Sequence, residues 1–164
     1  MTVEIHPLRP GEPDQYREIR LEALRLHPEA FGASFDDEAA RPLAFFEQRL
    51  TANTIFGGYV DDALMGTAGF MPETSAKRLH KSHLWGMYVR RAARGTGLAR
   101  HLVDAVLNHA KSHAELIQLS VVSDNFAAQR LYASAGFTPY GVEARSLKVD
   151  GRYLDEVLMV KLLT

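Results

Sequence analysis

The residues whose types and spacing best suit chemistry lie at 90–100, RRAARGTGLAR. An apolar run, LWGMYV at 84–89, precedes them and reads as a strand. Leu98, Leu102, Val106 and Ala110 follow on one stripe, with Val103 and Leu107 beside it, which is helical spacing. The first backbone N–H groups of a helix have no intrahelical partner, and the helix dipole places partial positive charge there. Gly95 and Gly97 leave those groups approachable. Arg90, Arg91, Arg94 and Arg100 add full charges, and no acid occurs before Asp104. Together they suit a phosphate or diphosphate. A tight turn with solvated arginines is the plainer alternative. A P-loop would need Gly-Lys-Ser/Thr, which is missing. A dinucleotide fingerprint would need a third glycine where Arg100 stands, and Glu115 falls before its strand, not after it.

A second group follows at 123–137, SDNFAAQRLYASAGF. Asn125 and Tyr132 are separated by about two helical turns and so share a face. Singly, Asn125 is a helix cap and Tyr132 a core tyrosine. Paired on one face beside an anion loop, they point to a functional role for Tyr132. A general base is harder to find, because the strand at 84–89 contains no carboxylate. Glu22, Glu73, His80 and His83 are candidates, with His83 first because it stands at the strand's start. His109 and His113, spaced i, i+4, read as solvated histidines and not as a metal site.

These residues need a frame to position them. Residues 3–8 alternate as an edge strand. A helix starts around 11–14 and carries Tyr16, Ile19, Arg20, Ala23, Leu24 and Leu26 before His27-Pro28 ends it. Residues 28–38 read as an acidic loop with a helix cap. Glu29, Asp36, Asp37 and Glu38 there would attract a cationic acceptor. A short helix at 42–50 turns Leu43, Phe46 and Leu50 inward. Strands at 54–60 and 63–71 close around Asp61-Asp62. Beyond the central helix come a strand at 116–122, a helix at 126–135 ending at Gly136, a strand at 137–142, and a hairpin, 145–149 with 153–162, around Asp150-Gly151. The order is β-α-α-β-β-β-α-β-α-β-β, an α/β chain with a mixed, mostly antiparallel sheet flanked by helices.

At 164 residues the chain suits a single domain spanning 1–164. The net charge of −1 supplies no global field for nucleic acid or membrane, so any anion site is local. The absence of cysteine removes disulfides, thiolate metal sites and thiol nucleophiles. No segment reads as a signal peptide or membrane span, and a cytoplasmic location is expected.

The loop Arg94-Gly95-Thr96-Gly97-Leu98-Ala99 resembles the coenzyme A diphosphate loop of GNAT N-acetyltransferases, Arg/Gln-x-x-Gly-x-Gly/Ala. The stretch 125–137 is similar to that family's second motif, Asn-x-x-Ala-x-x-Leu-Tyr-x-x-x-Gly-Phe. The hairpin KVDGRYLDEVLM at 148–159 resembles the closing strands of bacterial small-molecule members. The resemblance implies the GNAT acyl-CoA N-acyltransferase fold and acetyl-CoA as acetyl donor. It implies an acceptor that is the primary amine of a small molecule, attacked directly. It places the cofactor on Met87, Val89, Arg94, Gly95, Thr96, Gly97, Leu98, Ala99, Arg100 and Asn125, and makes Tyr132 the general acid for the leaving thiolate. A protein or peptide N-acetyltransferase, and a non-catalytic coenzyme A-binding domain, are the alternatives. A homodimer through the last strands is one further option that the resemblance raises.

Overall fold

The computed structural model describes residues 1–164. Seven strands form one sheet: β1 (Val3–Pro7), β2 (Thr54–Val60), β3 (Ala63–Pro72), β4 (Lys81–Val89), β5 (Leu116–Val122), β6 (Thr138–Val149) and β7 (Arg152–Leu162). Their spatial order is β1-β2-β3-β4-β5-β7-β6. Every pairing is antiparallel except β4 with β5. The helices are α1 (Pro13–Leu26), α2 (Phe35–Ala39), α3 (Leu43–Ala52), α4 (Leu98–Ala110) and α5 (Phe126–Ser134).

The sheet separates two cores. On one face α4 and α5 pack Leu98, Leu102, Val103, Val106, Tyr132 and Ala135 against Phe70, Leu84, Ile117 and Leu119. On the other, α1 and α3 pack Tyr16, Ile19, Phe46 and Leu50 against Ile55, Tyr59 and Tyr88. Helix α4 sits unusually close to the sheet. Gly58 and Gly66 face each other across β2 and β3. A Cβ on Gly58 would meet Leu98 at 2.7 Å, and one on Gly66 would meet Leu102 at 2.9 Å. Bare backbone at this pair lets two leucines of α4 press into the sheet, which fixes where the helix begins.

The turns follow from residue chemistry. Asp61 and Asp62 both adopt positive φ, the primed turn that matches the twist of a two-residue hairpin. Gly136 closes α5 at φ +99°. Asp150 and Gly151 turn β6 into β7 in the same way as the aspartate pair.

The structure departs from the sequence expectations in three places. The 28–38 segment is not only loop: a 3₁₀ turn, Pro28–Ala30, precedes the single-turn helix α2, capped by Ser34 Oγ on the Asp37 N–H at 3.1 Å. The two strands expected at 137–142 and 145–149 are one strand, β6, which starts at Thr138 and is broken in register between Glu143 and Leu147, where Arg145 adopts φ +52°. Leu26 and Leu43, placed on inward stripes, are exposed at their helix ends. No helix is long and apolar enough to cross a membrane.

Leu102 is fully buried against the glycine pair. Leu102→Ala is expected to lower the unfolding free energy by about 2–5 kcal/mol in chemical denaturation. A loss below about 1 kcal/mol would mean that this face can collapse around the missing side chain.

Candidate active site

Strands β4 and β5 pair over only three residues, Lys81 with Leu116, Ser82 with Ile117 and His83 with Gln118. Beyond that they part. Between Leu84–Val89 of β4 and Leu119–Val122 of β5 lies a cavity of about 620 Å³. It passes through the sheet, because both layers line it: Leu98, Ala99, Leu131 and Tyr132 from one, His27, Ala30 and Phe31 from the other.

A bulge shapes the β4 wall. Thr67 pairs with Tyr88 and Gly69 with Trp85, so Gly86 and Met87 together face Ala68 alone. Gly86 takes φ +62°, the left-handed conformation such a bulge favours, and its carbonyl accepts from Thr67 Oγ1 at 3.2 Å. Below the bulge, Arg90 donates its N–H to Met65 O on β3. Strand alternation then turns the polar groups of Val89 towards the cavity. The Val89 carbonyl indeed receives Arg94 Nε at 3.3 Å.

The anion loop closes one end of the cavity. A 3₁₀ turn, Arg91–Ala93, leads into Gly95 (φ +79°) and Gly97 (φ +85°), which caps α4. The N–H groups of Gly95, Thr96, Gly97, Ala99 and Arg100 donate to no protein acceptor. Leu98 N–H is only loosely taken, by Thr96 Oγ1 at 3.3 Å. Thr96 itself faces the loop, with its hydroxyl on Ala93 O at 2.5 Å.

The arginines divide into engaged and available. Arg90 lies 3.3 Å from Glu22 and 3.7 Å from Glu18. Arg100 pairs with Asp104 at 2.9 Å and reaches Ser134. Arg91 and Arg94 have no acidic partner. Arg94 Nη2 approaches His27 Nε2 at 3.1 Å.

At the opposite wall, Asn125 caps α5 by accepting from Ala128 N–H at 3.2 Å, and with Tyr132 it lines the cavity. The Tyr132 hydroxyl makes no hydrogen bond within the protein, while the ring packs edge-on to Phe137. Burial pushes its pKa far above that of an ordinary tyrosine. Tyr88, beneath the cavity, donates to Glu22 Oε2 at 2.7 Å, and burial followed by that bond pushes it up to about 12.

Of the residues singled out from the sequence, Met87, Val89, Arg94, Gly95, Gly97, Leu98, Ala99, Asn125 and Tyr132 line the cavity. Thr96, Arg100 and His83 do not. His83 Nε2 instead bonds Glu73 Oε1 at 2.8 Å at the head of β4, a bond that holds the Glu73 carboxyl below its usual range. No carboxylate lines the cavity. Glu38, placed with the acidic rim, turns inward and is buried, where Arg20 and Arg49 both grip it. His109 and His113 stack on each other at 4.1 Å, and His109 packs against Phe70.

Sequence reasoning passed over Gly86 and His27, and took Phe31 only as part of the 28–38 segment read as facing the acceptor. Gly86 carried a usable signal, since a glycine inside a strand marks a bulge. His27 and Phe31 reach the cavity through the 27–31 turn, and nothing in their spacing announces that.

Comparisons with known proteins agree with this geometry. A search of curated proteins finds no match. Among solved structures, a GNAT acetyltransferase of Streptococcus pneumoniae superposes with a TM-score of 0.87 at 19% identity, covering 98% of this chain and 99% of that one. The Salmonella typhimurium protein yncA, solved with its cofactor acetyl-CoA, gives 0.83 at 23% identity, covering 100% and 95%. Ribosomal-protein-alanine N-acetyltransferase of Brucella melitensis gives 0.81 at 20%, covering 97% and 99%. The model of the acetyltransferase (GNAT) family matches residues 16–137, which contain the loop, the bulge, both diverging strands and Tyr132. The chain belongs to the acetyltransferase (GNAT) family, the enzymes for which acetyl-CoA is the acetyl donor.

Proposed function

We propose that the protein moves the acetyl group of acetyl-CoA onto the primary amine of a small molecule by direct attack. The observation that carries this reading is one cavity with free backbone amides at one end and an unpartnered, buried phenol in its wall. The amides of residues 95–100 and the charge of Arg94 are suited to the diphosphate. The backbone of Met87 and Val89 is suited to the pantetheine arm, running along a strand edge that β5 leaves unpaired. N–H groups of that edge can take up negative charge developing on the thioester oxygen.

Tyr132 is the proton donor in this reading. A free thiol has a pKa near about 8.5, so the departing thiolate gains from a positioned acid. Because burial raises its pKa, the phenol keeps its proton at any pH the enzyme meets. The incoming amine must lose a proton first, since alkylamines near pKa of about 10 are charged at neutral pH. We assign that proton to His83, reached through water, with Glu73 fixing its imidazole.

Cavity shape favours a small acceptor over a peptide. The Pro28–Ala30 turn contacts both β5 and β6, so it crosses the side of the cleft opposite α4 and narrows the way in for an extended chain. Fold similarity by itself does not choose. Neighbours of comparable similarity are named for acceptors as unlike as a ribosomal-protein alanine and phosphinothricin.

Three substitutions and one control test the assignment. Tyr132→Phe is expected to lower kcat by about 100-fold with the KM for acetyl-CoA nearly unchanged. An unaltered kcat, with chemistry shown to limit turnover, removes Tyr132 from the reaction. Gly95→Ala is expected to weaken acetyl-CoA binding by about tenfold, because its Cβ would meet no protein atom within 4 Å and can obstruct only a ligand. Gly151→Ala carries similar backbone strain at the distant β6–β7 turn and should leave that affinity alone. His83→Gln should cut kcat most on the neutral-to-alkaline plateau, where a general base works, and flatten the acidic limb of the pH profile; an unchanged profile assigns the proton to solvent alone.

A further inference from the structure

Behind the Gly86 bulge lies a charge cluster that the transfer chemistry does not use. Arg20 donates through Nε and Nη2 to Glu38 at 3.0 and 3.1 Å. Arg49 donates to the same carboxylate through Nη1 and Nη2 at 3.0 and 3.4 Å. Neither arginine has another acidic partner. Two guanidinium groups therefore share one carboxylate, and one positive charge is left over. Arg20 is 7% exposed and Glu38 5%, while the Arg49 side chain is 18% exposed, so the surplus is held partly out of water. A buried cation with incomplete compensation is costly, and proteins keep one where something supplies the missing anion.

The surplus has a direction. Arg20 Nη1 is the one nitrogen of its guanidinium without a protein acceptor. It stands behind the bulge, 3.7 Å from where a Cβ of Gly86 would lie. The rings of Phe31 and Trp85 flank the guanidinium at 5.5 and 5.4 Å, and both rings line the cavity. Trp85 Nε1–H is buried there with no partner. Both donors thus stand one layer behind the cavity, which Arg20 does not itself line, with Trp85 and Gly86 shared between the two. A hollow of about 10 Å³ between Arg20, Trp85 and Gly86 is large enough for one bridging water.

We infer that the acceptor is an amine that also carries a carboxylate, and that Arg20 selects it by supplying the counter-charge. This rests on the acetyl-transfer reading above and narrows its substrate class to amino-acid-like compounds. It also reverses the expectation of a cationic acceptor drawn from the 29–38 acids. Glu38 is consumed inside the cluster, and Asp36 and Asp37 face solvent.

The test measures acetyl-CoA-dependent thiol release by the wild-type protein with matched triplets: an α-amino acid, its carboxamide and the corresponding decarboxylated amine, over several side-chain types. The acids are expected to exceed both carboxylate-free partners in kcat/KM by at least about tenfold. Arg20→Gln should erase that preference by raising the KM for the acid while leaving the amide and the KM for acetyl-CoA unchanged. Should that variant fail to fold, Glu38→Gln removes the internal competitor instead, and is expected to preserve or widen the preference for acids. Amides or simple amines turned over as well as the acids would overturn the inference while leaving acetyl transfer intact. Thiol release with none of the compounds would overturn both.

Discussion

Everything at the centre of this molecule depends on two neighbouring strands that stop bonding to each other. β4 and β5 are the one parallel pair in the sheet, and they hold together for three residues before separating. The cost is a row of strand polar groups with no partner strand, which a buried sheet seldom tolerates. What it provides is a cavity walled by backbone, in which N–H and C=O groups are fixed by the fold and not by flexible side chains. Each side of the gap is braced separately. β4 stays bonded to β3 through the Gly86 bulge, and β5 stays bonded to β7 over its full length.

The rest of the architecture serves to hold an amide-bearing helix end at that gap. Paired glycines on β2 and β3 let Leu98 and Leu102 sink into the sheet. Leu98 is the first residue of α4, so packing at its base sets the position of the loop immediately before it. The hydrophobic core and the anion loop are thus one mechanical unit, and a change in the first moves the second. On the opposite face, α1 supplies Arg20 to the buried cluster beside Trp85 and Glu22 to Tyr88, so a single helix braces the C-terminal half of β4.

Much of this could be read before the coordinates. The periodicity of Leu98, Leu102, Val106 and Ala110 gave α4, and the glycines before it gave the loop, because helical spacing and positive φ are local properties. Asp61-Asp62 and Asp150-Gly151 marked their turns for the same reason. Asn125 and Tyr132 could be placed on one face from their separation alone. The missing parts depend on contacts distant in sequence. Glu38 looked like a surface acid because nothing nearby in the chain shows that Arg20 and Arg49 converge on it from two other helices. His27 and Phe31 enter the cavity only because the Pro28–Ala30 turn folds back over β5 and β6. Joining 137–142 to 145–149 as a single strand required seeing β7 alongside both.

A gap that runs through a sheet has two mouths. One opens beside α4 and the loop before it; the other opens under the α1–α2 turn. With the donor in the first and the acceptor in the second, as proposed above, neither would block the other and both could be seated together. No covalent holding station between two half-reactions is then required, and the architecture alone is sufficient to bring the partners face to face.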